Sequence, residues 1–363
     1  MGQLQVHTLD SIDALRQRAP AWDRLWQRSG VSLPTARAEL VAQWLERFAP
    51  KATLRVLTVD DGGELVAALP LVGRRLRRLL PAGDLTWNYW SPNGELLLDP
   101  QADVPAVCDR LAEAMARLRW PLLWLEMVPL EFTYWQALLA ALARRKLAVD
   151  VHPRYRIGQV EIRGTFADCQ SQWPKSHRRN LRRDLRRLEQ TGEVAWRFQS
   201  KFTPAEVETG LRRAFEIETR SWKESVGGSV LGTPAIFEFF VRQARQLAEW
   251  GSLRLAFLEQ AGKPIAFDLG WTAKGVHHSF KVGYDAAYRE YAPGQLLRRG
   301  LIERLFEEGE IGVLDFQGPM TEGLAVWSTR SYPIARVVVA PGGGVSRSAW
   351  LAYKALLPLI RRK

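Results

Sequence analysis

Between Tyr284 and Leu296 the chain reads Tyr-Asp-Ala-Ala-Tyr-Arg-Glu-Tyr-Ala-Pro-Gly-Gln-Leu, a loop that follows an expected strand and opens an expected helix. The first turn of a helix leaves its amides without intrahelical acceptors, here those of Gly294, Gln295 and Leu296. Such donors, added to the helix macrodipole, form a site for phosphate. Gly294 lets a ligand approach the backbone closely, and Pro293 fixes the entry while removing one donor. The same residues also describe an ordinary Pro-Gly helix start. Acid–base groups lie nearby in sequence. In Ile265–Trp271, alternation puts Ala266, Asp268 and Gly270 on one face, and a carboxylate between two small residues has room for a ligand beside it. Asp268 is therefore a general-base candidate. Asp285 and Asp315 near strand ends, and Glu216 or Glu218 on a helix, are further carboxylates, each equally able to cap a helix or pair with a cation. Tyr284 or Tyr291 could give a proton to a leaving group.

A second feature is a basic helix. Between Pro174 and Gln190 seven cations (Lys175, Arg178, Arg179, Arg182, Arg183, Arg186, Arg187) stand against Asp184 and Glu189. Leu181, Leu185 and Leu188 recur at i, i+4 and i+7, an apolar stripe for docking that leaves a wide basic face. Arg178, Arg179, Arg182 and Arg183 on that face suit an anionic substrate or the phosphates of a cofactor, through bidentate contacts. Anionic lipid, RNA by counterion release, and water alone are the other uses of such a face. The helix carries no interleaved aromatics, which weighs against RNA. His277 and His278 point to opposite faces of one strand, so they cannot share a metal. No Walker loop, nucleophile elbow, HExxH or dinucleotide fingerprint occurs.

The elements that must position these residues follow from periodicity and turn chemistry. The N-terminal half reads as helices Asp10–Arg28 and Ala36–Phe48, then a hairpin of Leu54–Val59 and Glu64–Val72 turned by Asp60-Asp61-Gly62-Gly63. A basic stretch (Arg74, Arg75, Arg77, Arg78), an aromatic loop (Trp87, Tyr89, Trp90), a helix Val104–Arg119, a strand Leu122–Val128 and a helix Phe132–Lys146 follow. The C-terminal half runs strand Val194–Gln199, helices Pro204–Trp222 and Pro234–Trp250, then strands Ser252–Glu259, Lys263–Thr272 and Val276–Gly283. A helix Gly294–Glu308, a strand Gly312–Phe316, a strand Ala335–Ala340 and a helix Arg347–Arg361 complete it. Residues 55–68 align without gaps on 254–267, each stretch downstream of two helices, so two related modules are expected. The fold class is α/β (α+β), as tandem modules with mixed, mostly antiparallel sheets flanked by helices. The expected boundaries are 1–165, a basic linker 166–192, and 193–363.

Composition limits the classes of function. At 363 residues the chain is long enough for two domains. Two cysteines, Cys108 and Cys169, give neither a disulfide framework nor a zinc site. No apolar run approaches the ~20 residues of a bilayer span, and no secretory signal is visible; a cytoplasmic location, in peripheral contact with the inner membrane face at most, is expected. A net charge of +12 suits polyanionic partners.

The strand, two helices, three strands, loop, helix, strand order resembles the GNAT acyltransferase superfamily, whose phosphate-loop pattern [Q/R]-x-x-G-x-[G/A] is approximated by Arg289-x-x-Ala292-x-Gly294, with alanine at the first glycine. Gly283-Tyr284-Asp285-x-x-Tyr288-x-x-Tyr291-Ala292-Pro293-Gly294, Ser176-x-x-Arg179-Asn180-Leu181-Arg182-Arg183, and Asp315-Phe316 with Trp327 resemble the cellulose-biosynthesis (BcsL/CelD-like) subfamily, related to FemAB-type transferases. Where that subfamily commonly has Tyr-Lys before the tryptophan, this chain has Leu324-Ala325. The resemblance implies that acetyl-CoA or another acyl-CoA binds at Arg289, Ala292, Pro293, Gly294, Gln295 and Leu296. It implies direct attack by an amine on the thioester, and an amino sugar or nucleotide-sugar acceptor in cell-surface polysaccharide synthesis. The first module would then be structural or line the acceptor cleft with Trp87, Tyr89 and Trp90. Two other readings stand beside it: a FemAB-like transferase using aminoacyl-tRNA, and a non-catalytic module tethering a polysaccharide synthase at an anionic membrane through Lys175–Arg187.

Overall fold

The computed structural model describes residues 3–76, 80–221 and 229–360, with side chains of 356–360 left aside. Arg77, Arg78, Trp222 and Arg361 of the expectations above lie outside the described residues. In chain order the elements are β1 (Leu4–Leu9), α1 (Ile12–Gln17), α2 (Ala19–Arg28), α3 (Ala38–Phe48), β2 (Leu54–Asp61), β3 (Glu64–Leu76), β4 (Leu80–Leu85), the two-residue strands β5 (Trp87–Asn88), β6 (Ser91–Pro92) and β7 (Leu97–Leu98), α4 (Val104–Ala116), β8 (Leu122–Pro129), α5 (Thr133–Arg144) and β9 (Ala148–Glu161). Then come α6 (Phe166–Gln172), α7 (Lys175–Glu189), β10 (Val194–Gln199), α8 (Pro204–Thr219), α9 (Ile236–Glu249), β11 (Leu253–Gln260), β12 (Lys263–Ala273), β13 (Val276–Tyr284), α10 (Pro293–Glu308), β14 (Val313–Pro319), α11 (Glu322–Ala325), β15 (Arg330–Ala340) and α12 (Gly343–Ile360).

The chain divides into two compact units, one of Met1–Tyr155 with Tyr332–Lys363 and the other of Arg156–Ser331. The last strand and helix, read in the sequence as the end of the second module, count with the first. The reason is pairing: β15 runs antiparallel to β8, with Ile334 opposite Pro129 and Val339 opposite Leu123. One long N-terminal helix was expected over Asp10–Arg28, yet it breaks at Arg18. Pro20 has no amide for a preceding carbonyl, so it starts α2 rather than continuing α1.

Each unit repeats one strand order. In the first unit β1, β2, β3 and β4 are antiparallel neighbours, β4 then pairs parallel with β8, and β8 pairs with β15. In the second, β10 to β13 are antiparallel, β13 pairs parallel with β14, and β14 pairs antiparallel with β9. The sequence repeat extends to backbone detail. Gly62-Gly63 and the aligned Ala261-Gly262 both turn with positive φ (57°, 88° and 48°, 76°), the pairing that a two-residue hairpin loop requires. Register shifts fall between Val59 and Asp60 and between Leu258 and Glu259, which are aligned positions. A bulge and a turn retained at the same register argue for duplication more strongly than residue identity does.

The leucine stripe of α7 docks as its spacing requires. Leu181 and Leu188 are buried, with Leu185 partly so, in a core shared with Leu296, Leu297 and Leu301 of α10. Asp184, also buried, is held by Arg183 at 2.9 Å.

Candidate active site

The mouth of α10 is built differently from most helix starts. Asp285 follows β13, accepts the Ala287 amide at 3.1 Å, and caps a 3-10 turn over Ala286–Tyr291. Ala292 follows in the left-handed region (φ 47°, ψ 50°) as the N-cap of α10, and gives it no side-chain cap. An alanine held at positive φ costs about 1 kcal/mol, which places strain at this turn. Of the three amides expected to be open, Gln295 and Leu296 both donate to the Ala292 carbonyl, at 2.9 and 3.2 Å. The tight 3-10-like first turn consumes them, and the Gly294 amide remains without a partner among the described residues. The Leu296 side chain is fully buried in the core and its carbonyl accepts Trp196 Nε1 at 3.1 Å.

Gly294 opens on a cavity of about 390 Å³ lined by Arg289, Ala292, Gly294, Gln295, Tyr284, Gly283, Val282, Leu297, Arg298, Phe267, Ser221 and Asp268. A Cβ added at Gly294 would meet only the Tyr284 ring, at 3.6 Å. Beside this cavity β13 and β14 pair over just three residues, Val276–His278 with Val313–Asp315. Past that point β14 turns through Gln317 (φ 55°) and pairs on its other side, Pro319 opposite Ile157. The two parallel strands therefore part at the cavity.

Asp268 stands in the wall of the cavity. Ala266 faces the α10 core, while Phe267 packs on Phe215 of α8, so the expected alternation holds. A register shift between Leu269 and Gly270 inserts Phe280 as an extra residue in β13. A bulge of one residue turns the following side chains to the other face; Phe280 packs on Trp271 and Ser279 comes round to Asp268, donating to Oδ2 at 2.5 Å. Asp268 is 6% exposed. Burial raises its pKa to about 6, with the Ser279 hydroxyl and the charge of Arg298 opposing the rise. Gly270 is the neighbour that makes this packing feasible, since a Cβ there would fall 2.2 Å from the His278 carbonyl oxygen.

The remaining carboxylates are occupied elsewhere. Asp285 is buried, bonded to Arg220 Nε at 2.8 Å, with Lys263 Nζ at 3.6 Å. Burial works to raise its pKa, but the Arg220 hydrogen bond and charge and the Ala287 amide bring it below the ordinary carboxylate value. Asp315 sits where β13 and β14 part, accepting from Gln159 Nε2 at 2.6 Å and from the amide and side chain of Gln317, both at 2.8 Å. Glu218 is fully buried, accepts the Val230 amide at 3.0 Å and lies 3.7 Å from Lys281 Nζ. Tyr284 lines the cavity, whereas Tyr291 lies under Arg187, which stacks over its ring at 5.2 Å and bonds Glu290 at 2.6 Å. Arg178, Arg179, Arg182 and Arg183 ride on α7 and do not line the cavity.

The acetyltransferase (GNAT) domain model matches residues 1–99 and 175–323. The chain belongs to this family. It is a GNAT acyltransferase with a mixed α/β fold. No curated protein matches it in sequence. Among solved structures it is similar to FemX, at 10% identity and a TM-score of 0.57 over 92% of this chain and 96% of that one. It is also similar to the C-terminal domain of a putative lysylphosphatidylglycerol synthetase from Agrobacterium fabrum (12%, 0.54, over 94% and 96%) and to L-PGS from Bacillus licheniformis (10%, 0.55, over 92% and 96%). These likenesses carry the fold alone.

Within this candidate site the structure adds a residue that sequence reasoning passed over. Arg298 lies one helical turn beyond Gly294, lines the same cavity, and stacks its guanidinium 5.3 Å from the Phe316 ring and 5.9 Å from Trp327. Burial lowers its pKa and Asp268 opposes that. The available signal was its i+4 spacing from Gly294 on an otherwise leucine-rich face. Gln295 is fixed from the same side, its Oε1 accepting Trp327 Nε1 at 2.8 Å.

The first GNAT-like unit lacks both devices. Its corresponding helix, α4, begins with Asp103, whose carboxylate accepts the Ala106 amide at 3.0 Å and caps it. Its parting strands, β4 and β8, pair at Ala82–Leu122 and Gly83–Leu123. The gap beyond is bridged by Asp84, which accepts from the Glu126 amide at 3.0 Å, from Trp87 Nε1 at 3.2 Å and from Arg74.

Proposed function

We propose that the cavity between β13, the Tyr284–Leu296 loop and α10 takes an acyl-CoA, and that the protein is an N-acyltransferase acting by direct attack of an amine on the thioester. One observation carries this reading: an uncapped helix mouth, with the Gly294 amide free, opens on the same cavity as a buried carboxylate of raised pKa. The Gly294 amide, the α10 dipole and Arg289 would hold a diphosphate. Acetyl-CoA, or another acyl-CoA, supplies the activated carbonyl when bound. Asp268, ionised above a pKa of about 6, takes the proton of the acceptor ammonium, and Tyr284 holds a proton for the leaving sulfur. We assign Asp285, Asp315 and Tyr291 positioning roles, since each is engaged by neighbours of its own. The motif from Gly283 to Gly294 supports an amino-sugar or nucleotide-sugar acceptor in cell-surface polysaccharide synthesis, through its resemblance to the BcsL/CelD-like subfamily.

The test is a thermal-shift titration with acetyl-CoA on the full chain and on Gly294→Glu. A carboxylate at the helix mouth repels a diphosphate, so the shift of the parent protein should vanish in the variant. An undiminished shift would mean that the donor binds elsewhere. A second reading, an aminoacyl-tRNA donor, is favoured by the exposed Arg179, Arg182, Arg183 and Arg186 of α7; co-purifying tRNA without any acetyl-CoA shift supports it. Salt-sensitive liposome binding without that shift supports the tethering reading instead. Among the described residues no helix is long and apolar enough to cross a membrane.

A further inference from the structure

The first unit contains a cavity of about 610 Å³ between its sheet and α12, within the size range of small-molecule sites. Its walls carry the rings of Trp87, Trp124, Tyr155 and Tyr353 and the aliphatic side chains of Leu80 and Ile334. Most polar groups in those walls already have partners; the Tyr89 hydroxyl, on a side chain 90% exposed at the rim, is an exception. Arg336 bonds Glu126 and stacks over Trp124 at 4.4 Å; Trp124 Nε1 donates to Glu126 at 3.1 Å. Arg74 and Trp87 Nε1 donate to Asp84, Tyr155 Oη to Met127 Sδ at 2.9 Å, and Tyr353 Oη to Asp150 at 3.3 Å. A sugar or a nucleobase entering here would exchange water for walls that have few donors or acceptors left to offer it. Burying a polar group without a partner is costly, so the interior selects an apolar occupant. At the rim the balance reverses: Arg154 is exposed and makes no hydrogen bond or ion pair among the described residues, its charge acting only on the neighbouring Tyr155 hydroxyl. Met127 lines this cavity with φ of 63°, a strained backbone for a non-glycine residue.

We infer that this cavity binds a single aliphatic chain bearing an anionic head, with the chain among the rings and the head at Arg154. The inference does not rest on the acyl-donor assignment, because none of the residues it uses lies in the second unit. The probe is palmitate, displacing 1-anilinonaphthalene-8-sulfonate from the full-length protein at low salt, with 1-hexadecanol as its uncharged counterpart. Arg154→Glu should weaken palmitate roughly two- to fivefold, the scale of an exposed ion pair, and leave hexadecanol unchanged. Ala349→Trp, which extends an indole into the void, should weaken both by more than about tenfold. Retention on phosphatidic acid vesicles that is lost in Ala349→Trp would assign the chain to a membrane lipid, and palmitate binding without such retention would assign it to a free fatty acid. Displacement of the probe by UDP-N-acetylglucosamine but not by palmitate overturns the inference, as does palmitate binding that both variants leave intact. Because Arg154 is at the surface, Arg154→Glu keeps the test decisive should Ala349→Trp fail to fold.

Discussion

Replacing Asp268 by asparagine separates what this carboxylate does to the fold from what it does in the reaction. Its pKa rises from 3.8 to about 6 because it is buried, the Ser279 hydroxyl and Arg298 offsetting only part of the effect. A carboxylate whose folded pKa exceeds its unfolded value favours the folded state when protonated. The resulting cost is absent below about pH 4, grows between about 4 and 6, and is constant above. A shift of about two units corresponds to about 3 kcal/mol. Asparagine is neutral throughout and can still accept the Ser279 O–H through its amide oxygen. The variant should therefore gain up to about 3 kcal/mol above pH 7 and nothing at pH 4. For a unit the size of Arg156–Ser331 that is an upward shift of about 6–12 °C in melting temperature. Scanning calorimetry at pH 4 and pH 8 measures it, and thiol release from acetyl-CoA with a panel of amino sugars measures turnover, which should fall about 10²- to 10⁴-fold. A gain of equal size at both pH values would show that Asp268 is not the titrating group. Undiminished thiol release would remove it from the reaction.

Arg298→Met removes a charge that lowers the Asp268 pKa, so the acidic limb of the rate profile should move to higher pH; an unmoved limb would sever Arg298 from Asp268. Ala261→Gly restores the glycine found at the aligned Gly62 and relieves a φ of 48°, which should stabilise the second unit by about 1 kcal/mol in a denaturant titration, with acetyl-CoA binding unchanged. Gly270→Ala forces a methyl against the His278 carbonyl oxygen; since backbone must move, the second unit should lose about 1–3 kcal/mol, read as an earlier unfolding transition. Asp103→Ala uncaps α4 at a cost of about 1 kcal/mol and should leave the acetyl-CoA shift untouched, because that helix mouth binds no donor in this scheme.

Sequence periodicity located most elements of the second unit to within a few residues, because their signals are local: Pro293 and Gly294 start α10, Ala261-Gly262 turns β11 into β12, and the three leucines orient α7. The missed elements have weak local signals. Strand β1 is a six-residue edge, mostly exposed, and its short alternation of Leu4 and Val6 with Gln5 and His7 is a weak signal beside the helices that follow. Strand β4 reads Leu-Pro-Ala-Gly-Asp-Leu, residues poor in β propensity that are held by β3 and β8 on either side. Helix α6 announced itself only by the reciprocal cap of Thr165 and Asp168. The placement of β15 beside β8 depends on a partner some 200 residues away, which no local pattern encodes. The candidate site was legible as a loop and a carboxylate, but not as a geometry. Which of the three α10 amides stays open is decided by the left-handed turn at Ala292, and which serine meets Asp268 by the bulge at Phe280.

The two units show how few residues separate the proposed donor site from the corresponding place in the first unit. Both keep the strand order, the hairpin bulge, and a left-handed residue in the strand that parts from its parallel neighbour, Met127 in one and Gln317 in the other. What differs is where carboxylates stand. In the first unit Asp103 satisfies the helix mouth and adds negative charge there, and Asp84 closes the seam by accepting an amide from each flanking strand, those of Leu85 and Glu126. An anion would meet repulsion at one and no vacant donor at the other. In the second unit the helix mouth carries alanine, proline and glycine, and the nearest seam carboxylate, Asp315, turns its oxygens to Gln159 and Gln317. Exchanging these features tests whether they suffice: Asp103→Gly with Asp84→Asn should remove the two obstacles to anions in the first unit without supplying an Asp268. If phosphate or acetyl-CoA then raised the stability of that unit without raising turnover, binding and chemistry would be shown to reside in separate residues of one duplicated frame.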